Sequence, residues 1–143
     1  MSKGNTFEND ILRLIFNATA IANIADNAAT SPLTNLFVSL HTADPGEAGD
    51  QTTSEISYTG YARVSVARTS GGWTVTTNSV SPTANIEFAA MTGGAGGTAT
   101  HAAIGTAVSG AGKVLYKGAL SPTISVTTGV VPRITTASTI TED

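Results

Sequence analysis

Hydrophobic positions fall into two textures along this chain, helical near the start and alternating from residue 36 onward. Phe7, Ile11, Leu14, Ile15, Ala18 and Ala22 recur at helical spacing, with Asp10, Arg13 and Asn17 on another face. Asn5 followed three residues later by Glu8 is a capping-box pattern, which satisfies orphan amides at a helix start. The pattern predicts an amphipathic helix from Thr6 to Asn17, running on toward Ile24. Its apolar stripe is expected to pack on a sheet; a second reading makes the helix an element that docks on a partner. Met1–Gly4 reads as a short polar arm and Asp26–Thr34 as a loop.

Leu36, Val38 and Leu40 alternate with Phe37, Ser39 and His41, the period of a strand. Asp44-Pro45-Gly46 turns the chain, and Glu47–Ser57 reads as a long polar loop. Tyr58–Arg68 alternates again, which sets Tyr58 and Tyr61 on opposite strand faces. Ser70-Gly71-Gly72 is expected to turn the chain into a strand at Trp73–Thr77. Further strands are expected at Ala84–Ala89, Ala99–Ala107, Lys113–Leu120, Ile124–Thr128 and Ile134–Ile140, with Gly93–Gly97 a flexible loop. About eight short strands after one helix predict a mainly β fold, an antiparallel sandwich or barrel. At 143 residues a single domain is expected. It comprises an arm (1–5), a helix region (6–24), a β body (36–140) and a tail (141–143), with Thr139–Asp143 polar.

Composition narrows the function. Only 12% of residues are charged and 6% aromatic, while Thr, Ala, Ser and Gly make up about half the chain. A neutral, Thr-rich surface suits a protein that meets other proteins over wide areas. The net charge of −3 and seven scattered basic residues provide no footprint for nucleic acid. Zero cysteines exclude disulfides, thiolate catalysis and sulfur-ligated zinc. No signal peptide or membrane-spanning run is evident, so a soluble protein made in the cytoplasm is expected.

Candidate chemistry is sparse. His41 and Asp44 among many Ser and Thr raise a hydrolase triad, but no nucleophile elbow marks one. Asp44, Glu47 and Asp50 put three carboxylates in one loop, the ligand type of a hard cation, without EF-hand spacing; solvated acids on a turn are the plainer account. His41 and His101 are two imidazoles short of a metal site. Gly93–Gly97 lacks the Lys-Ser/Thr ending of a phosphate loop. Glu55 and Glu87 are the nearest candidates for a glycosidase pair, with Trp73 the aromatic that a sugar cleft would need. Trp73 reads first as core. No catalytic, cofactor-binding or metal-binding residue is assigned, and no enzyme activity or cofactor is expected.

Four motifs in order carry a resemblance. They are Leu36-Phe37-Val38-Ser39-Leu40-His41-Thr42-Ala43-Asp44-Pro45-Gly46, Gly60-Tyr61-Ala62-Arg63, Thr100-His101-Ala102-Ala103-Ile104 and Leu115-Tyr116-Lys117-Gly118-Ala119-Leu120. Together they resemble a family of small virion proteins of tailed bacteriophages, labelled tail fibre or head decoration proteins. The resemblance implies a virion structural protein without catalysis, made in the host bacterial cytoplasm. Head decoration is the favoured role: a cement protein on the capsid surface, contacting the major capsid protein and neighbouring copies of itself, with no nucleic acid or membrane partner. The alternatives are a tail fibre or baseplate-associated component and a carbohydrate-binding module recognising the host surface.

Overall fold

The computed structural model describes residues 3, 5–21 and 33–142; the remainder of the expected arm, and the stretch 22–32 of the helix region and loop, lie outside the described residues. In chain order the elements are α1 (Asn5–Asn17), β1 (Asn35–His41), β2 (Val64–Ala67), β3 (Trp73–Thr76), β4 (Ser79–Pro82), β5 (Ile86–Glu87), β6 (Gly97–Gly105), β7 (Val114–Val126), β8 (Arg133–Ile134) and β9 (Ile140–Thr141). The fold is mainly β, as expected. Among the described residues the strands form sheets of order β2-β1-β6-β7, β3-β4-β9 and β5-β8, and none closes into a barrel. The chain divides into two compact units. One comprises Met1–Asn35, Ala67–Ile86 and Ile134–Asp143, and the other comprises Leu36–Val66 and Glu87–Arg133. They are called here the helical unit and the histidine unit.

In the helical unit α1 packs against β3 and β4. Glu8, Leu12 and Phe16 take its buried side, and the Phe16 ring meets Trp73 edge-on at a centroid distance of 4.8 Å. The stripe expected to face inward is therefore rotated off the sheet: Phe7 is 43% exposed, and Ile11, Leu14 and Ile15 are half-buried. Trp73 is the reason, because the bulkiest side chain of the unit pairs with Phe16, and Leu12 lies one turn before Phe16 on the same side. The helix stops at Ala18, which takes a left-handed conformation (φ 53°), and the Thr19 amide turns back to the Arg13 carbonyl. The Asn5 side chain, half of the expected capping box, lies outside the described residues. The expected C-terminal tail is β9, hydrogen-bonded to β4 and followed by Glu142, whose carboxylate pairs with Lys3 at 3.1 Å.

The histidine unit is built on β1, buried on both faces. Leu36, Val38 and Leu40 lie on one, Ser39 and His41 on the other. It pairs antiparallel with β6 from Phe37↔Gly105 to His41↔His101. The expected strands at Lys113–Leu120 and Ile124–Thr128 are one strand, β7. It bulges because residues 120–123 stand opposite Thr100 alone, between the pairs His101↔Ala119 and Ala99↔Ile124.

Other boundaries also moved. Tyr58–Arg68 contributes only β2, and Tyr58 and Tyr61 do not sit on opposite strand faces but touch ring to ring at 5.3 Å. The turn into β3 is followed by an unforeseen hairpin through Thr77 (φ 52°) into β4, a Ser-Val-Ser-Pro segment not expected as a strand. Ile134–Ile140 is split between β8 and β9. Gly93–Gly97 is tied by backbone bonds between Thr59 and both Gly93 and Thr92, and Gly97 opens β6. Gly96 has φ +66°, and a Cβ there would run into the Val126 carbonyl, so a side chain does not fit.

Candidate functional site

The densest polar arrangement lies inside the histidine unit. His41 is fully buried; its Nδ1 lies 2.8 Å from the Thr53 carbonyl and its Nε2 lies 2.9 Å from Ser39 Oγ. A carbonyl only accepts, so Nδ1 carries the proton and Nε2 accepts from the serine hydroxyl. Burial holds the imidazole below the usual histidine range, against the Thr53 bond and the Glu55 charge, which raise it. The neutral ring is thus a structural hinge between β1 and the 51–56 segment.

That segment is held over the end of β1 from several directions. Thr42 N–H donates to Ser54 O and Ile56 N–H to Leu40 O, with Glu55 bridging His41. Gln51, fully buried, donates from Nε2 to Phe37 O (3.1 Å) and accepts at Oε1 from the Ala107 amide (3.1 Å). Its side chain fills the space that a Cβ on Gly105 or Gly112 would occupy. Glu55 and Arg63 form a two-pronged pair with both N–O distances 2.7 Å, and Arg63 also donates to Ala107 O. That carboxylate raises the guanidinium further above its ordinary value. Tyr61 donates to Glu55 Oε1 at 2.9 Å and accepts the Leu40 amide, and burial drives its phenol well up.

Ser39 and His41 reproduce the contact distance of a nucleophile and its base. Yet both are 0% exposed, and the third position is a backbone carbonyl, so the pair has no opening to a substrate in this structure. Asp44 takes no part. It accepts from the Gly46 amide and pairs with Lys117 at 2.9 Å, contacts that hold its carboxyl below the usual range. Glu47 also reaches Lys117 (3.5 Å), while Asp50 caps the next turn through the Thr52 amide and hydroxyl, which lower its pKa. The three loop carboxylates therefore spread onto different partners. The histidines do meet, since His41 and His101 are cross-strand partners, but His101 Nδ1 lies 2.9 Å from Thr100 Oγ1. Among the described residues no three of His, Cys, Asp and Glu cluster as metal ligands. Glu55 is bound by Arg63 and Glu87 by Arg133 (2.7 Å), so each expected glycosidase acid answers an arginine.

In the helical unit a cleft of about 310 Å³ is lined by Arg13, Asn17, Thr19, Ser70, Trp73, Thr74 and Val75. Trp73 is 1% exposed, so it offers no face for a sugar to stack on, and its Nε1 is a buried donor without a partner among the described residues. Asn17 Nδ2 donates to the Trp73 carbonyl at 3.2 Å. Arg68 closes the end of α1: its guanidinium donates to the carbonyls of Leu14 (2.8 Å) and Ile15 (2.7 Å), acceptors that a helix end leaves free, and to Leu33 O (2.6 Å) ahead of β1. Sequence reasoning singled out none of Gln51, Arg63 or Arg68 for these roles. Arg63 stood within the quoted Gly60–Arg63 motif, which was its only signal.

Residues 2–142 match the family model described as "Podophage GP4 fiber I protein gp80", and the chain belongs to that family. No curated protein matches the chain. It is a phage virion structural protein of the fibre type.

Proposed function

Proceeding from membership of the podophage fibre I family, we propose that this protein is a fibre-type component of the phage tail. The observation that carries the reading is the family match, which takes in almost the whole chain. The described chemistry is compatible with a structural, non-catalytic role: the Ser39–His41 pair is sealed, and Glu55 and Glu87 are each paired with an arginine. Its partners on this reading are other virion proteins and further copies of itself.

Head decoration, the role favoured from sequence, is the second reading. Its support is the exposed run of small uncharged residues on β7, including Gly118, Ala119, Ser121, Thr123 and Ser125, which a flat capsid seam would cover without desolvating charge. Co-sedimentation with separated tails and with heads stripped of the protein distinguishes them. Saturable binding to tails at a few copies per particle is the expected result. Binding to heads alone, at a copy number near that of the major capsid subunit, would replace the fibre reading with the cement reading.

A further inference from the structure

The cleft beside the C-terminal end of α1 is lined by donors that lack protein acceptors. Arg13 has no ion-pair partner among the described residues, whereas Lys3, Arg63, Lys117 and Arg133 all do. The Thr19 amide and the Ser70 carbonyl are hydrogen-bonded, but the hydroxyls of both residues are free among the described residues. Trp73 Nε1 is buried and equally without an acceptor, a condition that folded proteins rarely leave in place because it is costly. Only Asn17 and Thr74 are engaged, with the Trp73 carbonyl and the Thr83 hydroxyl.

The charge balance says what such a cleft accepts. No Asp or Glu is among its lining residues. A helix C-terminus ordinarily disfavours anions, since its free carbonyls carry partial negative charge. Here Arg68 bonds the Leu14 and Ile15 carbonyls, which offsets that charge and sets a second guanidinium at the same helix end. The fitting guest is a carboxylate, whose paired oxygens match a guanidinium and the neighbouring hydroxyls. The volume of about 310 Å³ is at the low end of ligand sites, which span about 300–1,000 Å³. It holds one side chain with its backbone. A sugar would want an aromatic face, and Trp73 is 1% exposed, so a protein source of the carboxylate is favoured over a glycan.

We propose that this cleft receives an aspartate or glutamate side chain of a neighbouring virion protein, its carboxylate bound by Arg13 and by the hydroxyls of Thr19 and Ser70. The inference rests on the reading of this chain as a virion component, and it gives that component a point of attachment whose strength depends on charge.

The chain holds one tryptophan, so its indole N–H gives a single cross-peak in a ¹⁵N–¹H spectrum and reports on the cleft directly. The full chain is titrated at pH 7 and constant ionic strength with N-acetyl-glutamic acid N-methylamide, an acidic side chain on a neutral backbone. A saturable shift of the indole peak is expected, with a Kd on the order of 1–10 mM for so small a probe. The glutamine analogue, and the glutamate probe on Arg13→Gln, should each bind on the order of tenfold more weakly. Arg13 is exposed, so circular dichroism of that variant should be unchanged. No shift, equal binding of the glutamine analogue, or indifference to Arg13→Gln would overturn the proposal. Tighter binding of D-glucuronate than of the glutamate probe would overturn it by assigning the cleft to acidic glycans. Arg13→Gln should also weaken co-sedimentation with whichever particle the parent chain binds, and undiminished co-sedimentation would overturn the assignment to a virion partner. A parent chain that binds neither tails nor heads would instead refute the virion reading, while the probe titration still reports on the carboxylate site.

Discussion

In the helical unit the largest fully buried side chains are Trp73, Phe16 and Leu12; in the histidine unit His41 and Gln51 share the interior with Leu36, Leu40 and Phe88, and Arg63 is buried beside them. The first interior is fixed by shape. An edge-on aromatic pair sets the rotation of α1, and the buried Trp73 Nε1 has no partner among the described residues. The second is fixed by directed bonds, each polar group meeting a partner at 2.7–3.1 Å. The difference teaches where each unit is vulnerable: an apolar core fails by volume, a polar one by the loss of any single member.

The largest effects come from breaking each core in its own currency. Arg63→Ala leaves Glu55 beside Tyr61 without its cation, and a loss of about 3–5 kcal/mol is expected in urea unfolding. Replacing Glu55 and Arg63 together by Leu and Met recovers much of it, which no cavity-forming change would do. Trp73→Ala is expected to cost a similar 3–5 kcal/mol in the helical unit, by cavity formation alone. Gly105→Ala drives a methyl into the Gln51 amide and is expected to cost about 1–3 kcal/mol, part of it restored by Gln51→Ala in the same chain.

A smaller effect separates the units by pH. Both histidines of the chain lie in the histidine unit. Burial depresses the His41 pKa, so the unfolded chain takes up this proton before the folded one as pH falls. The stabilisation is fully present above about pH 6.5, the unfolded value, and is lost as pH falls through the folded value. Denaturant midpoints measured from pH 7.5 down to 5 should decline, and the decline should be shallower in His41→Asn. Smallest of all, Lys117→Ala touches only solvent-facing pairs with Asp44 and Glu47 and should shift stability by less than about 1 kcal/mol in a thermal melt.

Much of the histidine unit was legible in the chain. The alternation of Leu36, Val38 and Leu40 placed β1, and the strand at Ala99–Ala107 fell within two residues of β6. The period-2 signal is strong there because β-branched and aliphatic residues recur without interruption. What stayed hidden depends on pairing across the sequence. A His at position 41 says nothing about a carbonyl at 53, and Gln51 sat in a stretch that reads as loop because its partners, Phe37 and Ala107, are remote. The helix was found but turned wrongly, since its Phe7–Ala18 stripe is as apolar as the Leu12–Phe16 side, and only the position of Trp73 chooses between them. β4 was missed because its strand character comes from pairing with β3 and β9, not from its own residues.

Residue-resolved amide exchange at pH 7.5 and pH 5, each corrected for intrinsic exchange, tests most directly that directed polar bonds hold one unit and apolar packing the other. Protection at Leu40, Thr42, Gln51 and Ile56 should fall at the lower pH, while the amides of Leu12, Phe16 and Val80 keep theirs. Equal loss in both sets, or none in the first, would contradict the account.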